Sequence, residues 1–455
     1  MPSGSATKPQ FTAGSIAGIA PEEHSVKFRT LFSPLFTLLA VLPLVALSGC
    51  GGSDDDDGSG QVRLVNATSD YASLDLFASD VRVTSGVLQG AVGSYAGFSH
   101  GDIVFKLKRA DSGITSLATT RTVSSGVNDS LIAYSTGGTL RTVYLADSEA
   151  APTSGYAKLR VFNTSTEAGS VDMYMTAVGG SLDSISAVAS SIAGERFSSY
   201  GEITAGSYHL VVTGAGDKTD VRLDIPSIAL SDQQIATLIL TSTPGGVLVH
   251  SLLLNQGSTA TAQNNTSARI RLIANTTANG VVAATVNGNV LSTGLKSPIV
   301  GSYTLIPAGA LTTDIQVNGV AVPTSGLTAT AGADLSLMVL GTPAAPQVTL
   351  LNDDNSPPLT STYAKLRLVH GVNNLNGSIT LTADYSAVAT DVAFGTASTP
   401  VSVLNSTTYR LESTSPVFSG ELYLATDVNL QSTHVYTVFM LGDTTTPLGV
   451  LRRDR

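Results

Sequence analysis

Four times along the chain, small or aliphatic residues take alternate positions and basic residues take several of the positions between. The stretches are Val62-Arg63-Leu64-Val65-Asn66, Ala157-Lys158-Leu159-Arg160-Val161-Phe162-Asn163, Ala268-Arg269-Ile270-Arg271-Leu272-Ile273 and Ala364-Lys365-Leu366-Arg367-Leu368-Val369-His370. A period of two is that of a strand with one face in a core. From Arg63 the copies recur at Arg160, Arg271 and Arg367, steps of 97, 111 and 96 residues. Such steps are the size of a small independent domain rather than of a solenoid repeat.

Each opening strand runs into a polar turn, such as Ala67-Thr68-Ser69-Asp70 or Thr164-Ser165-Thr166-Glu167, and then into a second strand, seen in Leu74-Asp75-Leu76 and Val171-Asp172-Met173-Tyr174. These turn residues satisfy backbone groups with their side chains, so Asn66 and Asn163 read as Asx turns rather than as glycosylation sites. Tyr95 to Gly101, Tyr200 to Gly206 and Tyr303 to Gly309 share a six-residue step, and Tyr409 marks the comparable strand of the fourth copy. Each copy closes with a strand, a Gly/Pro turn and a strand, as in Ala236–Leu240, Pro244-Gly245-Gly246 and Leu252–Leu254. The pattern predicts an all-β protein of four tandem immunoglobulin-like β-sandwich domains, at 61–152, 156–258, 267–357 and 363–455. With a radius of gyration of about 13 Å each, four such domains end to end reach about 140 Å.

Ahead of the repeats, Lys27 and Arg29 precede an apolar run from Leu31 to Leu47, broken by Pro34 and Pro43. A basic segment, a short apolar run and small residues describe a secretory signal over 25–49, too short for a comfortable membrane span. Residues 1–24 form an N-terminal extension ahead of the basic segment, where signals usually begin, so the natural start is expected near Val26; the alternative is a dispensable Gly/Ala/Ser-rich extension. Gly51 to Gly60, with four consecutive aspartates at 54–57, reads with residue 50 as an acidic tether over 50–60. Leu47-Ser48-Gly49-Cys50 resembles the lipobox of bacterial lipoproteins, and Cys50 is the chain's single cysteine. The resemblance implies cleavage before Cys50 and acylation of its sulfur, hence a membrane partner through a lipid anchor. Gly51 after the cysteine implies sorting to the outer membrane, facing the periplasm or the cell surface.

The repeats are similar to a widespread, functionally uncharacterised bacterial domain family whose members open with a strand of the type V-R-V-V-H-A-S-P-D-A. Ala364 to Gly371 carries the best match to that opening, and Tyr303 to Gly309 the best match to the family's turn. The resemblance covers nearly all of 61–455 and implies tandem envelope modules without implying an activity.

Charge and composition narrow the function. Three of the 24 basic and two of the 34 acidic groups lie in residues 1–49, which leaves 21 and 32 and a net charge of −11. An acidic chain without a basic stripe is not a nucleic-acid binder. Gly97-Phe98-Ser99-His100-Gly101 matches the G-x-S-x-G pattern of a nucleophile elbow, but that geometry needs a helix next and Ile103–Lys108 reads as a strand. An esterase built on Ser99 is therefore the least favoured reading. The six histidines are scattered, and the aspartate run lacks calcium-loop spacing. No metal, cofactor or catalytic residue is assigned. Asp147, Asp353 and Asp354 read as linker carboxylates, with calcium ligation the alternative. Arg63 with Asp75 and Arg160 with Asp172 share a 12-residue spacing that predicts local ion pairs across a hairpin. The reading is a non-enzymatic envelope lipoprotein whose sandwiches serve a structural, binding or adhesive role, with an envelope protein or a glycan as partner. The alternative is a glycan- or peptidoglycan-binding lipoprotein, for which the absence of Trp weakens any stacking platform.

Overall fold

The computed structural model describes residues 58–405 and 408–455. The signal segment, Cys50 and most of the tether lie outside them. The described chain is all-β apart from one turn of 3-10 helix at Thr277–Asn279.

The first sandwich has eight strands: β1 (Ser59–Ala67), β2 (Ser73–Ala78), β3 (Val81–Leu88), β4 (Ala96–Ser99), β5 (Gly101–Arg109), β6 (Thr115–Val123), β7 (Asn128–Thr136) and β8 (Thr139–Ala146). They form two four-stranded sheets in the orders β4-β1-β7-β8 and β3-β2-β5-β6. The two central strands of the first sheet run parallel, Leu64 beside Leu131, and the other pairings are antiparallel. The same plan recurs around the opening strands Tyr156–Asn163, Ser267–Thr276 and Tyr363–His370. The sandwiches are thus as expected; strands group four and four in the first and fourth, and short extra strands enlarge one sheet to six in the second and to five in the third, unlike the ABED and CFG grouping of an immunoglobulin constant domain.

Each sandwich has its own core. In the first, Val62 and Leu64 of β1 meet Leu74, Leu76, Phe105 and Leu107 of the opposite sheet. The other three cores are equally self-contained. Two further clusters lie between sandwiches. Val65, Ala67, Ile132 and Tyr134 of the first pack on Phe162, Ile239, Leu252 and Leu254 of the second. Ile273, Met338 and Leu340 of the third pack on Val369, Phe439 and Leu441 of the fourth.

The opening strands are therefore buried on both faces, and β1 is inaccessible from Val62 to Ala67. The face bearing Arg63, Arg160, Arg271 and Arg367 is the one laid against the neighbouring sandwich. This corrects the single-core-face reading and the end-to-end arrangement: the sandwiches stand in two face-to-face pairs. The pairs meet at a seam where Gly245 N–H donates to Gly332 O at 3.0 Å and Asn355 N–H donates to Gly245 O at 3.2 Å.

Candidate functional site

The repeated basic residues are the first chemistry the fold assembles. In register, Arg63 lies opposite Ser130, Arg160 opposite Thr237, Arg271 opposite Ser336 and Arg367 opposite Thr437. Arg63 Nε donates to Ser130 Oγ at 2.7 Å, and Ser130 Oγ donates to Asp147 Oδ2 at 2.7 Å. Tyr95 Oη donates to the same carboxylate oxygen at 2.5 Å, under a guanidinium 4.7 Å from its ring. The third sandwich repeats the set with Arg271, Ser336, Asp353 and Tyr303, and the fourth repeats it with Arg367, Thr437 and Asp454.

In the second pair these sets interlock. Arg271 bonds Asp454 of the opposite sandwich, and Arg367 Nη2 lies 2.8 Å from Asp353 Oδ1, an ion pair without hydrogen-bond alignment. The four side chains are 3% exposed or less. Burial alone would push the Asp353 carboxyl up, but Arg367 and Arg271, with the Ser336 and Tyr303 hydroxyls, hold it below the ordinary carboxylate value. In the first pair, Gln256 occupies the fourth carboxylate's place and bonds the Glu149 backbone instead. Arg160 there keeps Thr237 at 3.1 Å and lies over the Phe197 and Tyr200 rings, while its buried Nη2 has no partner among the described residues.

Several expectations are corrected. Arg63 pairs with Asp147, not Asp75, because β1 and β2 lie in opposite sheets; Asp75 accepts from Gly86 N–H at 2.7 Å, and Asp172 from Ser191 N–H at 2.7 Å. Asp147 and Asp353 are buried ion-pair partners instead of solvated linker groups, and Asp354 pairs with Lys365. Tyr409 does open the comparable strand: it aligns with Tyr208, each donating to the carbonyl of a preceding strand, while the fourth sandwich has Pro400 where Tyr303 stands in the third. Asn66 and Asn163 do close Asx turns. Ser99 ends β4 and β5 begins at Gly101, so Ser99 and His100 sit exposed between two strands with no elbow. Among the described residues no group of three or more His, Cys, Asp or Glu could hold a metal ion. Nor is any helix there long and apolar enough to cross a membrane.

Where the pairs meet, a cleft of about 1550 Å³ is walled by all four sandwiches and by the linker Asp354–Ser361. Thirteen of its 32 lining residues are Ser or Thr, so its walls present hydroxyls. Its charged groups are mostly satisfied internally: Arg141 lies 3.2 Å from Glu195, Lys365 is 2.8 Å from Asp354, and Glu167 accepts from Gly137 N–H at 2.8 Å and Ser242 Oγ at 2.6 Å. Asp70 is exposed at the rim on the first sandwich. Among the described residues Arg455 has only carbonyl partners, Gly246 O at 2.5 Å and Asn355 O at 3.5 Å. Burial, then repulsion from Arg222 and Arg269, pushes its guanidinium down to about 10. Sequence reading missed this cleft because its walls are turns and linkers from distant parts of the chain.

Residues 60–174 and 268–377 match the model of a domain of unknown function, DUF4397, in two regions one after the other. Each match covers one sandwich and the opening of its paired neighbour. No curated protein matches the sequence. Solved structures similar in part include the Bacillus anthracis TIE protein, at 9% identity over 65% of this chain and 51% of that one, with a TM-score of 0.14. The chain thus spans about half the length of that structure. A CBM26 module of Eubacterium rectale Amy13K in complex with maltoheptaose is 10% identical over 46% of this chain and 97% of that one, at 0.14. A Parabacteroides distasonis chain provisionally described as a cell adhesion protein is 12% identical over 67% and 98%, at 0.17. Scores of this size carry no argument about function.

Proposed function

We propose that the chain is a non-enzymatic lipoprotein of the cell envelope, anchored through Cys50, that binds a polar extracytoplasmic ligand in the cleft between its four sandwiches. The observation that carries this reading is the division of labour among polar residues. The repeated Arg, Ser/Thr, Asp and Tyr side chains are committed to holding sandwiches together, whereas the cleft offers hydroxyl-lined space larger than the 300–1,000 Å³ of ordinary small-molecule pockets. Such space fits an extended, hydroxyl-bearing ligand. A glycan array probed with the purified protein and with a Thr139→Trp variant, which places a bulky ring at an exposed lining position of the cleft, tests the binding. Wild-type signal lost in the variant supports the reading; equal signal from both contradicts it. Metabolic labelling with an alkyne fatty acid tests the anchor: Cys50→Ala must abolish the label.

A further inference from the structure

The cleft's internal accounting singles out one group. Arg141 and Lys365 are neutralised by Glu195 and Asp354, and the neighbours of Arg455 are matched in the same way, Arg222 to Asp220 and Arg269 to Asp334. Arg455 lines the cleft without a carboxylate within ion-pair distance among the described residues. Its Nη1 is fixed by the Gly246 and Asn355 carbonyls, which sets the plane of the guanidinium, while Nε and Nη2 take no acceptor among the described residues and are not sealed from solvent. A planar fork with two open N–H directions matches a carboxylate.

We propose that the cleft takes a hydroxyl-rich oligosaccharide carrying a single carboxylate, and that Arg455 holds that carboxylate. This rests on the reading of the cleft as the binding site. The hydroxyls of Thr139, Thr360, Ser361 and Ser402, exposed and without a hydrogen-bond partner among the described residues, suit sugar hydroxyls. One carboxylate, not many, follows from the rest of the lining: Asp70, Glu167, Glu195 and Asp354 outnumber Arg141, Lys365 and Arg455, so a polyanion is repelled while one anion at Arg455 is matched. A peptide is the competing occupant, since Tyr363, Leu359, Ala331 and the three prolines add apolar wall, and it is therefore one arm of the test.

The test is calorimetric titration of the purified protein with three oligosaccharides of one length: neutral, oxidised to one terminal carboxylate, and fully uronic. A peptide with a free C-terminal carboxylate is the fourth probe. The mono-carboxylated sugar is expected to bind at least about tenfold more tightly than the other three. Arg455→Gln, whose fold is checked by its melting curve, is expected to erase the difference between mono-carboxylated and neutral sugars while leaving neutral binding in place. Equal binding of those two sugars by the wild type, or an undiminished preference in Arg455→Gln, overturns the role of Arg455 and leaves the cleft reading standing. Tighter binding of the peptide or the polyanion overturns the ligand class. No binding by any probe, with wild type and Thr139→Trp equally inert on the array, sinks the cleft reading and the inference with it.

Discussion

At position 370 a histidine does the work that asparagine does at 66 and 163. Val372 N–H donates to His370 Nδ1 at 3.2 Å, which assigns the ring proton to Nε2, 3.2 Å from Gly377 O. Asn163 uses Oδ1 and Nδ2 for the equivalent bonds to Ser165 N–H and Gly169 O. Burial lowers the pKa of His370 below 6.5, with the Gly377 contact opposing. Its contribution to stability is therefore complete above the ordinary value of 6.5 and is lost as pH falls from there through the lowered one. We expect His370→Asn to keep the turn and to flatten that loss, read by urea unfolding at about pH 7.5 and about pH 5. Asp353 works at lower pH. Its folded pKa lies below 3.8, so its stabilisation is present above 3.8 and disappears as pH falls through the folded value. Asp353→Ala leaves Arg271 and Arg367 short of one carboxylate between them and is expected to cost about 3–5 kcal/mol at neutral pH, with a shallower acid limb. The sequence displayed every one of these residues, and even the constant position of the arginine, but spacing along the chain pairs Arg63 with Asp75. The true partner, Asp147, is brought in by β8, two strands away in the same sheet.

Among the elements, the opening strand is the one whose role changed most between sequence and fold. Its alternation correctly marks one core face. The basic residues on the other face suggest solvent, yet a guanidinium is buried when register supplies a hydroxyl and a carboxylate, as Ser336 and Asp353 do for Arg271. The apolar members of that second face, Val65, Phe162, Ile273 and Val369, were the readable clue, since a strand that keeps aliphatic or aromatic side chains on both faces is covered on both. Phe439 tests this interface directly. It is fully buried between the third and fourth sandwiches and belongs to neither sandwich's own core. Phe439→Ala is expected to cost about 3–5 kcal/mol and to raise amide exchange at the Val369 and Ile273 strands first, while the core strand holding Leu381 stays protected.

For the whole molecule, the sequence read four units and their β architecture, but not how they associate, because the seam between pairs is written in turns with no periodicity. Gly246 shows the point: its φ is +74° and a Cβ there would stand 2.3–2.6 Å from Ser356 of the linker between the third and fourth sandwiches. Gly246→Ala is expected to loosen the seam and to open residues 354–362 to limited proteolysis without melting any single sandwich. The most direct test of face-to-face pairing is small-angle X-ray scattering on residues 58–455. A compact chain of that length has a radius of gyration near about 21 Å, whereas sandwiches strung over about 140 Å give about 40 Å. The account predicts a value close to the first figure; a value close to the second contradicts it.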